Sequence, residues 1–320
     1  MRREILTLSL VAAVLIGGFI GTIAILNATL YSAGGFVRSY LDAVARHDAT
    51  GALELAGPSV AGDASTALLN RSAMGELGDI RLISDTALEG GDHTVVYGYT
   101  IGGVEGQSTF DVRPIGTLLG LFTTWSFKTS PLGVIELTVK HDDRFSANGV
   151  ELITPSQNAP APYIVFTPGL YEFDHESQLL EADALRVAAT EPSAAVPARL
   201  TIEPNELFVD EVSSAVNRFL DECATQEVLQ PTGCPFGQSI NNRIDTTPVW
   251  SIVDYPAVAI VAGRERNQWI MSQAAATAHL VVDVKSLFDG SVTSLDDDVP
   301  FSVSATIVML PEDEIVISID

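Results

Sequence analysis

Five histidines, two cysteines and an excess of carboxylates are the residues with chemistry to offer: His47, His93, His141, His175, His279, Cys223 and Cys234 among 41 Asp and Glu. His175-Glu176 opens like an HExxH zinc helix, but position 179 is Leu, so the second imidazole one turn later is missing. Lys140-His141-Asp142-Asp143 follows an alternating apolar stretch and reads as a solvated loop rather than a metal site. Asp296-Asp297-Asp298 lacks the alternate spacing and the glycine of a calcium loop, so it reads as a charged hairpin turn between two strands. There is no GxSxG elbow, no Walker loop and no GxGxxG fingerprint. The residues by themselves assign no catalytic group, no metal ligand and no cofactor.

The cysteines carry the clearest chemical expectation. Ten residues separate Cys223 from Cys234, too many for a CxxC redox pair, and there is no companion Cys/His spacing for zinc. Cys223 closes a helical pattern and Cys234 follows the turn Gln230-Pro231-Thr232-Gly233, so the chain can double back. In an oxidising compartment the pair forms a structural disulfide, contributing on the order of 2–3 kcal/mol.

Such a compartment follows from the N-terminus. Ile5 to Leu26 is a run of 22 residues without charge, preceded by Met1-Arg2-Arg3-Glu4. As a helix it would span about 33 Å, enough for the hydrocarbon core of a bilayer. Arg2 and Arg3 resemble a signal n-region, but the apolar run exceeds a signal core and no small-x-small cleavage site follows at the right distance. An uncleaved signal-anchor is expected, with residues 1–4 cytoplasmic and the rest outside the cell membrane as a single-pass ectodomain. Ser9, Ala13, Gly17 and Gly21 recur every four residues, a small-residue stripe that could pair two copies in a homodimer or simply reflect membrane-helix composition.

Charge narrows the partners. The formal net charge is −24, and beyond residue 4 the chain carries 40 acids and 15 bases. That field repels phosphate backbones, so nucleic-acid binding is not expected. At 47% hydrophobic and 18% charged the chain is a folding one, long enough for two or three modest domains.

The elements that must position these residues read as α+β. Gly34-Gly35 reads as a flexible joint. Phe36 to Arg46 carries Phe36, Val37, Tyr40, Leu41 and Val44 at helical spacing. Thr50 to Ala56 is a second helix, ended by Gly57-Pro58, and Ser65 to Met74 a third. From Ile80 the period becomes two: Ile80–Leu88 and His93–Ile101 form a hairpin about Gly90-Gly91-Asp92, followed by Gln107–Val112, Phe122–Phe127 and Val134–Val139. Pro114 and Gly116 interrupt the pattern.

The Phe-Val-Arg-Ser-Tyr-Leu-Asp-Ala-Val-Ala helix, Phe36 to Ala45, with a short second helix before long strand pairs, resembles the NTF2-like and cystatin-like superfamily on a bacterial membrane anchor. That resemblance covers residues 34–139 and implies a curved sheet wrapping the helices into a cone. Tyr97 and Tyr99 share one strand face and would then line its pocket, with core or rim packing as the alternative. No catalytic motif of the superfamily is present to carry over.

Residues 140–203 hold six of the 16 prolines and read as a small β module and linker. Residues 204–320 begin with a helix, Asn205 to Ala224, and continue as alternating strands to Ile319, a second helix-plus-meander domain. Val37-x-x-Tyr40-Leu41-Asp42-x-x-Ala45 matches Val216-x-x-Phe219-Leu220-Asp221-x-x-Ala224, from either a repeated architecture or a common helix stripe. The expected function is a non-catalytic binding or scaffolding module of the cell envelope with a protein partner there. The alternatives are a small-molecule sensor or carrier, and then a hydrolase or isomerase, using an NTF2-like pocket.

Overall fold

The uncharged N-terminal run folds as one helix, α1 (Arg2–Ala28). The structure, a computed structural model, describes residues 2–57 and 62–320, with the side chains of 2–9, 11, 12 and 312 outside the description. Among the described residues no single helix is long and apolar enough to cross a membrane. Ala13–Ala28 and Ala33–Ala45, bent by 58° at the break between them, reach that length and composition only as a pair. The chain divides into two units: Met1–Asp174 with Ala184–Leu200, and His175–Asp183 with Thr201–Asp320.

In the first unit, α2 (Ala33–Ala45) starts where Ser32 accepts the Gly35 N–H. Its apolar stripe, Val37, Tyr40, Leu41 and Val44, is buried. The expected joint at Gly34-Gly35 is instead the first turn of α2. The Gly34 amide donates to Asp85 at 3.0 Å, and a Cβ at Gly35 would come within 2.1 Å of the Thr29 carbonyl, so glycine there permits close approach rather than motion. Asp48 caps α3 (Ala49–Ala56), which ends at Gly57 with φ +75°. The third expected helix is reduced to a 3-10 turn, Arg71–Ala73. Ser65 instead bridges Tyr163 in parallel, and Asn70 caps the short turn, so local polar bonds compete with the helix.

These helices pack on an antiparallel meander: β1 (Leu77–Ala87), β2 (His93–Ile101), β3 (Val104–Leu118) and β4 (Phe122–Phe127). Pro114 and Gly116 do not end β3 as the pattern implied. The β2 ladder stops at Val112, so residues 113–118 pair only with β4, an edge where proline is tolerated, and the register shifts between Pro114 and Gly116. Then follow β5 (Leu132–Lys140), β6 (Arg144–Ala147), β7 (Val150–Ile153), β8 (Pro160–Phe166), β9 (Gly169–Glu176), β10 (Leu180–Ala189) and β11 (Ala195–Thr201). β5 is the middle strand between β11 and β8, so pairing runs across the boundary drawn at residue 140. The expected solvated loop after β5 buries Asp142, whose carboxylate receives the Arg144 guanidinium at 2.8 and 3.1 Å.

The second unit is one helix on one sheet. β12 (Glu203–Pro204) leads into α4 (Glu206–Ala224), capped by Asn205, which buries Phe208, Val212, Val216, Leu220 and Cys223. Its sheet comprises β13 (Arg243–Ile244), β14 (Val249–Asp254), β15 (Ile260–Ala262), β16 (Gln268–Lys285), β17 (Val292–Met309) and β18 (Ile315–Ile319). β13, β14 and β15 pair at successive stretches of β16, and β17 and β18 follow. A register shift between Met271 and Ala274 changes the parity that faces inward, from Trp269 and Met271 to Ala276, Ala278, Leu280 and Val282. The Asp296–Asp298 run is not a turn: it lies inside β17, opposite Val281, Leu280 and His279.

Candidate functional site

The place to look for a site in the first unit is the face of its sheet that carries Tyr97 and Tyr99. Both are interior instead. Tyr97 donates to the Gly34 carbonyl at 2.9 Å, and the Tyr99 hydroxyl is 2.6 Å from Ser108 Oγ, which in turn donates to the Thr190 carbonyl. Burial raises both phenol pKa values, so they serve as neutral hydrogen-bonding groups. Tyr40 of α2 is buried in the same core cluster. Its ring meets Phe110 and Phe127 edge-on, at centroid distances of 6.3 and 5.3 Å. Its hydroxyl donates to the carbonyls of Thr167 at 3.0 Å and Pro131 at 3.3 Å. Burial pushes the Tyr40 pKa well up.

What stays open is a shallow cleft of about 370 Å³ at the C-terminal end of α2, lined by His47, Glu76, Gly78, Thr100, Gly102 and Gly103 among others. His47 has φ +55°, just past the helix end, and its Nε2 is 3.2 Å from the Gly75 carbonyl. Neither His47 nor Gly102-Gly103 carries a site signal in the sequence. Their convergence comes from β2 and β3 folding back beside α2, which no local spacing encodes. The cleft offers an imidazole, a carboxylate and a hydroxyl to a polar ligand.

In the second unit Cys223 and Cys234 are bonded, Sγ to Sγ 2.00 Å, as their spacing led one to expect. The loop between them is braced a second time. Gln226 donates to the Thr232 carbonyl at 3.2 Å and accepts the Thr232 N–H at 2.8 Å. A groove of about 460 Å³ runs between α4 and β18, with Leu207, Asp210, Glu211 and Arg218 on one side and Ile315 and Ile317 on the other. On β16, His279 reaches two of the β17 carboxylates: Nδ1 to Asp298 at 2.8 Å and Nε2 to Asp296 at 3.0 Å. The hydrogen bond to Asp298 is the main reason its pKa is raised, and the two carboxylate charges add to it. Among the described residues no group of three or more His, Cys, Asp or Glu could hold a metal ion.

On α1, Ala13 and Gly17 are exposed, and a Cβ built at Gly17 or Gly21 meets nothing within 4 Å. The Ser9 side chain lies outside the described residues.

No protein-family model matches the chain, and no curated protein matches it. A solved structure described as "Ntf2 like protein involved in plasmid conjugation" aligns over 77% of this chain and 77% of that one, at 8% identity and a TM-score of 0.17. A superposition that loose carries no argument about fold or activity. The α+β class rests on the helices and antiparallel sheets themselves.

Proposed function

We propose that the chain is a single-pass membrane protein whose folded mass lies outside the cytoplasm and acts as a non-catalytic binding or scaffolding module. The observation that carries the second half is the filled interior of the first unit: Tyr40, Tyr99 and Phe110 take the volume that an enzyme or carrier of NTF2-like design would leave for its ligand. Binding would then use outer surfaces, where association is governed by exposed apolar and charged patches.

The anchor is supported by exposure. Val14, Leu15, Phe19, Ile20 and Ile25 of α1 are each at least 60% exposed, and no polar face relieves them. An apolar helix without a polar side is stable only against lipid or another apolar surface. The disulfide adds a second support, since such bonds persist in oxidising compartments.

Reporter fusions after Asp48 and after Asp320 test the topology. Both are expected to be active only when exported, and a cytoplasmic signal from either would overturn it. Cross-linking in intact cells with mass spectrometry tests the binding role. A partner linked through an exposed face supports it. Turnover by the full chain, abolished by His47→Ala, would replace it with an enzyme acting in the open cleft.

A further inference from the structure

The hairpin of β3 and β4 is built in a way that its own unit does not explain. Residues 114–127 contain no charged side chain in a chain of net charge −24, and Arg113 and Lys128 close the stretch at either end. Residues 113–118 have outrun β2 and project about 20 Å as a two-stranded ribbon. Such a ribbon is marginal in water unless another surface supports it.

Its apolar side chains are displayed rather than packed. Ile115 is 63% exposed, Leu118 48%, Leu119 82% and Leu121 41%. Leu119 also occupies a turn position with φ +53°, where Gly or Asn is the ordinary choice. A leucine that is both exposed and in the left-handed region has nothing to gain from water or from the turn.

The hairpin is also fixed in place. Asn27, the residue directly after the apolar run of α1, donates to the Leu121 carbonyl at 2.8 Å and accepts the Thr123 N–H at 3.3 Å. Tyr31 stacks on Phe122 at 4.5 Å, and Trp125 donates to the Tyr31 carbonyl at 2.8 Å. The leucine tip is therefore held level with the end of α1, where Ile25 and Leu30 are equally exposed. Tyr31 and Trp125, half-buried with amphipathic rings, stand just behind it, an order found at membrane–water boundaries.

From this juxtaposition we infer that the β3–β4 tip is a second membrane contact. Ile115, Leu118, Leu119 and Leu121 enter the headgroup and upper acyl region of the leaflet from which α1 emerges. Arg113 and Lys128 close the ribbon at its base, where Lys128 is held by the Asp92 carboxylate at 2.8 Å. The occupant is lipid, argued from continuity with α1 and from the uncharged, exposed apolar ribbon. The inference rests on the reading of α1 as an anchor.

The test uses the full chain in phosphatidylcholine vesicles. Since Cys223 and Cys234 are bonded to each other, an introduced cysteine takes an environment-sensitive fluorophore alone. Leu119→Cys reports on the tip, Ile16→Cys on α1, and Glu105→Cys on the opposite end of the sheet. With nitroxide-bearing lipids, the probes at 119 and 16 are expected to be quenched at least twofold and blue-shifted, and the probe at 105 to keep its value in water. Quenching at 16 but not at 119 overturns the hairpin contact and leaves the anchor standing. Quenching at neither overturns both. A blue shift at 119 without lipid quenching, growing with the number of chains per vesicle, means that a second copy covers the tip, and it also overturns the proposal.

Discussion

Cutting the Cys223–Cys234 bond should be felt throughout the second unit and nowhere in the first. The suitable perturbation is Cys234→Ser, because Cys223 is buried on α4 and its thiol can keep the packing of that position. The bond joins residues 11 apart, and the chain-entropy relation for a loop that short gives about 2.8 kcal/mol lost from the folded side. The Gln226 brace to Thr232 survives the substitution, as does the Gln238 N–H to Leu229 carbonyl bond at 2.8 Å, so the native loop keeps its course. A loss of about 2.8 kcal/mol corresponds to roughly a hundredfold faster exchange of the slowest amides, since about 1.4 kcal/mol is a factor of ten. Hydrogen exchange followed by mass spectrometry reads this directly on α4 and β16, with α2 as the internal control. Unchanged exchange in α4 would refute the entropic reasoning. An equal acceleration in α2 would refute the division into two cooperative units.

Other substitutions probe the remaining features. Tyr40→Phe leaves the buried Thr167 carbonyl without its donor and is expected to lower the stability of the first unit by about 1–3 kcal/mol in urea denaturation, with no change if that hydroxyl is dispensable. Phe208→Ala empties the contact between α4 and Trp269, whose rings lie 5.9 Å apart, and should destabilise the second unit by about 3–5 kcal/mol by the same measurement. The raised pKa of His279 means that the folded state binds its proton more tightly than the unfolded one. Its contribution is therefore fully present below the ordinary histidine value of about 6.5 and disappears as pH rises through the raised one. An NMR titration of the imidazole should give a value above 6.5 that falls in Asp298→Asn; no response to that substitution would discount the cross-strand pair.

Much of the local architecture could be read from the chain. The span of α4 is legible because the stripe at Phe208, Val212, Val216 and Leu220 is a local signal, whereas Asn205, read as its first residue, is its cap. The β1–β2 hairpin was legible for the same reason, since alternation and Gly90-Gly91 agree. Ser65 to Met74 misled because the pairing of Ser65 with Tyr163 spans nearly a hundred residues and competes with a weak helix. Asp296 to Asp298 misled because three carboxylates look like a turn, whereas an 18-residue strand can carry them on a solvated stretch opposite His279. Tyr97 and Tyr99 are buried in one core cluster with Tyr40, and no local spacing says which helix residue packs into that core. The His47 cleft and the Asn27 clamp join segments that only the fold brings together.

The short connection between α1 and α2 has a mechanical meaning. Thr29 and Tyr31 both donate to the Leu26 carbonyl, Ser32 donates to Thr29, and Phe36 donates to Ser32, so Thr29, Tyr31 and Ser32 of the four residues between the helices are tied by backbone hydrogen bonds. Gly35 packed under the Thr29 carbonyl and the Asn27 clamp to β4 close the remaining play. A leash would let the first unit tumble while α1 stayed still. This joint instead ties the direction of the sheet in the first unit to that of α1.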